Sequence, residues 1–101
     1  MAIETPTASQ RAHLLMKDLN SAISAARAGD WVREEAMTDH IRDISYSVTP
    51  RYAGYQLRSA CGAIDAAQRS QDLEGSLAFA EHEVEKLRDI FLRSGCASDA
   101  A

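Results

Sequence analysis

The run DLEGSLAFAEHEVEKLRDIF, Asp72 to Phe91, decides the fold class. Leu73, Leu77, Ala80, Val84, Leu87 and Phe91 recur in it at spacings of 4-3-4-3-4. In a helix that period stacks the side chains into one stripe, the seam of a helical bundle. A half-buried strand would need alternation with a period of two, which this run lacks. Asp72 stands where an N-cap belongs, and Gly95 follows the last turn as a stop. A helix with so long an apolar seam needs other helices to cover it.

The rest of the chain supplies them. Thr49 and Pro50 open a further helix, with Thr49 as the cap and Pro50 at the first position, a site that proline tolerates. Its stripe is Ala53, Leu57, Ala60, Cys61, Ile64 and Ala67, and Arg69-Ser70-Gln71 is the turn into the last helix. Upstream, Asp30–Val48 reads DWVREEAMTDHIRDISYSV, with Met37, Ile41, Ile44 and Val48 on one face. Asp30 is its N-cap, and Glu34 and Glu35 complement the helix dipole in the first turn. Asp39, Arg42 and Asp43 point away from the stripe, and His40 flanks it. The first helix carries Leu15, Leu19, Ala22, Ile23 and Ala26 and closes at Gly29; Thr7 and Gln10 have capping-box spacing at its start.

The prediction is an all-α, antiparallel up-down-up-down four-helix bundle in one domain, residues 1–101. Its helices span about 8–28, 30–48, 50–69 and 72–94, with loose tails at 1–7 and 95–101. The 101 residues carry a net charge of −4, and the basic residues are scattered singly, which disfavours nucleic acid as a partner. No apolar run approaches the roughly 20 residues of a membrane span, and MAIETPTASQ has no signal-peptide pattern, so a cytoplasmic location is expected. Cys61 on an apolar stripe and Cys96 in the tail are expected to remain thiols.

Few side chains suggest chemistry. The residues three before His13, His40 and His82 are Gln10, Met37 and Phe79, so the Glu-x-x-His pairs of di-metal bundles are absent. No metal or cofactor is expected, and Cys61 reads as core filler rather than as a nucleophile. His13 and His82 read as surface residues. Trp31, Tyr52 and Tyr55 stand near helix starts, where they pack over the bundle ends or form an exposed aromatic patch for a partner.

CGAIDAAQRSQDLEGSLAFAEHEVEKLRDIF, Cys61 to Phe91, resembles the C-terminal helical hairpin of histidine phosphotransfer (HPt) domains. The resemblance rests on the small residue Cys61, the Ile64-Asp65 pair, the polar turn from Arg69 and the Asp72-Leu73 helix start. AARAGDW, Ala25 to Trp31, is similar to that family's turn into its phosphoacceptor helix, and the likeness covers about residues 15–92. It implies a helical bundle that exchanges phosphate with, or docks onto, receiver domains. The family's His-x-x-Lys-Gly motif is missing: His40 is followed at +3 by Asp43 and at +4 by Ile44. A phosphoryl group on His40 would meet a carboxylate where the family has a cation, a repulsion of about 1–3 kcal/mol. The expected function is therefore an HPt-like interaction module of bacterial-type two-component signalling, not an enzyme. It would bind a receiver or histidine kinase domain through Arg33, Asp39, His40, Arg42 and Asp43. The alternatives are a phosphorelay carrier using His40 and a small helical chaperone or adaptor of flagellar or secretion type.

Overall fold

The structure, a computed structural model, describes residues 8–94. Four helices follow one another: α1 (Ala8–Arg27), α2 (Trp31–Ser45), α3 (Arg51–Ala66), which ends in a 3-10 turn (Ala67–Arg69), and α4 (Leu73–Arg93). Each packs against its neighbours in the chain, and α4 returns to α1, so the bundle is an antiparallel, all-α up-down-up-down arrangement. It measures 46 × 31 × 25 Å. No helix of the described residues is long and apolar enough to cross a membrane. The expectations placed on the two tails, Thr7, Gly95 and Cys96 fall outside the described range.

Local chemistry sets the helix ends. Asp30 accepts a hydrogen bond from the Arg33 amide and Asp72 one from the Gly75 amide, each satisfying a donor that the first turn leaves orphaned. Gly29 ends α1 at φ +77°, a left-handed conformation that costs a residue with a Cβ. The start of α3 differs from the sequence expectation. Pro50 itself is the cap residue, in extended conformation, and no side chain caps the helix. Proline brings no N–H of its own to the helix start, and its carbonyl accepts from the Ala53 amide at 2.9 Å. The second helix also stops at Ser45 rather than near Val48, because the Ser47 hydroxyl and amide both bond the Ile44 carbonyl and close a turn.

Three of the four predicted stripes form the core. Leu15, Leu19, Ala22, Ile23 and Ala26 of α1 are buried, as are Ala53, Leu57, Ala60, Cys61 and Ile64 of α3. In α4, Leu77, Ala80, Val84, Leu87 and Phe91 are buried, with Leu73 packed at the edge. Many of these are alanines, which let helix axes approach but bury little apolar area each, about 25 cal/mol per Å². Glu83 is buried between α3 and α4 with every oxygen engaged: Gln56 and Ser59 donate to it, and Lys86 pairs with it at 3.1 Å. The Gln56 hydrogen bond first, against the burial, holds its carboxyl below the usual range. On the outside, Arg27 pairs with Glu74 at 3.2 Å and with Glu81 at 3.0 Å, linking α1 to α4. These groups are solvated, so each pair adds little to stability.

Val84 is 4% exposed, at the middle of the α4 seam. Val84→Asp buries an unpaired carboxylate, which costs several kcal/mol against a typical domain stability of about 5–15 kcal/mol. The variant is expected to lose cooperative thermal unfolding by circular dichroism. A melt like that of the wild type would displace Val84 from the core.

Candidate functional site

The second helix departs most from its sequence reading. Its fully buried positions are Glu34, Thr38, Ile41 and Ser45, only one of them apolar. Ile41 is common to this line and to the predicted stripe; Met37, Ile44 and Val48 are only partly buried. The reason is that α2 is wedged between two neighbours. Ile44 and Val48 face α1, where they line a groove with Leu14 and Leu15. The polar line faces α3. There Thr38 Oγ1 lies 3.2 Å from Asp65 Oδ1, the Arg42 guanidinium pairs with Asp65, and Arg58 donates to Ser45 Oγ at 3.0 Å. At the crossing, the Ser45 carbonyl rests on Gly54, where a Cβ would collide with it. Glycine at 54 therefore serves close helix approach.

Asp65 is the hub of this contact. Burial works against its ionisation, but hydrogen bonds from Glu34, Arg42 and Thr38 outweigh that and hold it below the ordinary carboxylate range. Glu34 has the opposite environment. It is 2% exposed, and its Oε2 has no hydrogen-bond partner among the described residues. Burial first, then the neighbouring Asp65 carboxylate, push its carboxyl up to about 8. Near neutral pH the pair therefore holds one proton, on Glu34, while Asp65 carries the charge that Arg42 neutralises. Cys61 is fully buried beside them, and burial pushes its thiol up to about 12, so it is no nucleophile at neutral pH.

The five nominated docking residues are spread over three sides of α2. Arg33 is exposed and borders an open groove against α1 with His13, Lys17 and Arg88. His40 is exposed and lines a second groove, of about 240 Å³, with Arg11, Leu14, Asp18, Ile44 and Phe91. Asp43 is exposed on the outermost face. Asp39 is exposed and pairs with Arg42 at 3.4 Å. The expectation that Arg42 points away into solvent is corrected: it is half-buried, turned toward α3 and held by Asp65. Nor is Glu34 a solvated first-turn acid. His13 and His82 are exposed, as expected. Tyr52 and Tyr55 are 55% and 67% exposed rather than packed over the bundle end, and Trp31 is half-buried.

Among the described residues, no group of three or more His, Cys, Asp or Glu is placed to hold a metal ion. No protein-family model, curated protein or solved structure matches the chain. The sequence reading missed Glu34, Thr38, Ser45 and Arg58. The 4-3-4 spacing of Glu34, Thr38, Ile41 and Ser45 was available as a second helical line, but hydropathy gave it no weight.

The linkage has a definite sign. Glu34 is neutral in the fold up to about pH 8 but ionises near its ordinary 4.5 in the unfolded chain. Folding therefore takes up a proton between those values, and stability falls as pH rises through that window. Asp65 acts the other way at acid pH: its contribution is present above its ordinary 3.8 and is lost as pH falls through its lowered folded value. Glu34→Gln keeps the shape and supplies an amide donor toward Asp65 at every pH. It is expected to be more stable than wild type at pH 8 by about 1–3 kcal/mol and to flatten the decline above pH 5. Denaturant titrations across the range test this; parallel pH profiles would show that Glu34 is not the titrating group.

Proposed function

We propose that the chain is an HPt-like interaction module of two-component signalling, acting in the cytoplasm, that docks onto a receiver or histidine kinase domain without carrying phosphate. The antiparallel four-helix architecture supports this reading. The observation that carries the second half of the proposal is the placement of Arg42. A phosphoryl group of about −2 charge needs a cation close by. Arg42, the nearest cation in sequence to His40, is committed to Asp65 and Asp39 on the α3 side, while His40 opens toward α1. Asp18 shares the His40 groove, and the exposed Asp43 lies one turn on along α2. The groove also holds Arg11, which is the feature favouring a carrier.

The docking face in this proposal is the exposed side of α2, with Arg33, Asp39, His40 and Asp43 as contacts. Arg42 shapes that face from its ion pairs. Arg42→Glu would set a third carboxylate against Asp65 and Glu34, so it perturbs the fold and is unsuited to mapping the surface. Asp43→Arg, at an exposed position, is the cleaner probe.

Wild type incubated with a phosphorylated receiver or an active kinase domain is expected to form a complex but acquire no acid-labile, alkali-stable phosphate. His40→Gln is expected to keep partner affinity, and Asp43→Arg to weaken it several-fold with little change in melting temperature. A label on wild type that vanishes in His40→Gln would make the protein a carrier. Failure to bind any receiver or kinase domain would remove it from this signalling class.

A further inference from the structure

From Ile44 to Ile64 the chain contains no Asp or Glu. The same stretch holds Arg51 and Arg58 and all three tyrosines of the protein, Tyr46, Tyr52 and Tyr55. In a chain of net charge −4 this is a local excess of positive charge and aromatic surface. The fold gathers it. Arg51, Tyr55, Arg58 and Gly62 follow at i, i+4, i+7 and i+11 along α3 and so share one face. Tyr46, just past the end of α2, comes to the same place.

Arg58 is the centre of the patch. Its guanidinium carbon lies 4.4 Å from the centroid of the Tyr46 ring and 4.9 Å from that of Tyr55. One of its nitrogens donates to Ser45 Oγ at 3.0 Å, which fixes the group further. The rings stay open to solvent, Tyr46 at 77% and Tyr55 at 67%. Neither Arg51 nor Arg58 has an ion-pair partner among the described residues, so both guanidinium groups are available to a ligand. Beyond Arg58 the stripe runs onto Gly62, where a Cβ would meet nothing within 4 Å, so the surface there is flat and open.

We propose that the Arg51–Tyr55–Arg58 stripe of α3, flanked by Tyr46, is a docking surface for an acidic segment of a partner protein. A guanidinium with its faces against aromatic rings is partly desolvated and held in one orientation, so it loses little freedom when it binds. Its free N–H groups match a carboxylate, which pairs with arginine bidentately. Tyrosine and arginine are also the residue types that concentrate binding energy at protein interfaces. Charge selects the partner class. The stretch from Ile44 to Ile64 has no acid of its own to repel a carboxylate, so an acidic chain can approach it. Two arginines are too few for a nucleic-acid backbone, whose affinity grows with each neutralised phosphate, or for an anionic membrane, which takes clusters of about 4–8 basic residues. The surface lies on α3, apart from the α2 face discussed above, and does not rest on the two-component reading.

The test uses the full chain and a blocked, Glu-rich peptide containing a few leucines, with the same peptide in which Gln replaces Glu as the control. Binding is followed by fluorescence anisotropy, and the Arg58 side-chain N–H and the tyrosine ring resonances are followed by NMR. The Glu peptide is expected to bind, to move those resonances and to weaken with added salt, while the Gln peptide does not bind. Arg58→Gln is expected to lower affinity at least about tenfold. Arg51→Gln, at an exposed residue with no ion pair among the described residues, is expected to lower it several-fold with an unchanged melting temperature, which separates loss of binding from loss of fold. Arg88→Gln on α4 is expected to leave affinity unchanged. The proposal is overturned if the Glu peptide does not bind, if Arg51→Gln and Arg58→Gln bind it like wild type, or if the Gln peptide binds equally well. Tighter binding of a short RNA or of phosphatidylserine vesicles to the same residues, or self-association through the tyrosines, would also overturn it.

Discussion

The contact between Asp65 and the polar face of α2 is the constraint on which the rest of the bundle depends. Three helices bring full apolar stripes to the core, but α2 brings one fully buried apolar side chain, Ile41. Hydrophobic burial alone would hold it weakly. What fixes its position against α3 is Asp65 taking Thr38 and Arg42, together with Arg58 on Ser45 and the close passage of the Ser45 carbonyl over Gly54. Directional contacts of this kind specify one rotation of a helix, where alanines and isoleucines would tolerate several.

The two buried glutamates show how differently such groups are accommodated. Glu83 sits between α3 and α4 with donors on both oxygens and is stable as an anion. Glu34 sits between α2 and α3 beside another carboxylate, with one oxygen unpartnered, and is stable only when protonated. Burial is the larger influence on Glu34 and the hydrogen-bond donors are the larger influence on Glu83, and that balance decides the protonation state. The α3–α4 contact is thus insensitive to pH near neutrality, and the α2–α3 contact is not.

The same division shapes the surface. Arg42 is drawn toward α3, where it bridges Asp39 and Asp65, so it does not stand beside His40 and Asp43 on the outer side of α2. Tyr46, the C-cap of α2, still has helical dihedrals, and its ring lies against Arg58 of α3. Both candidate docking faces therefore border the contact between α2 and α3, one beside Arg42 and the other beside Arg58.

By itself the sequence determined the number of helices, their order and three of the four core faces. Seams such as Leu77, Ala80, Val84 and Leu87 repeat with a period that only a helix turns to one side, and capping residues such as Asp30 and Asp72 act within one turn of chain. Tertiary structure decided the rest. Periodicity ranks side chains by hydropathy, so it located the α1-facing line of α2 but gave no weight to Glu34, Thr38 and Ser45, whose burial is tolerable only because Asp65, Arg42 and Arg58 stand opposite. Those partners are up to 31 residues away in the chain, Glu34 to Asp65 being the widest of these separations, and no local pattern links them. Pairing across such a distance is a property of the packed helices, and so are the proton shared by two carboxylates and the arginine held between two tyrosines.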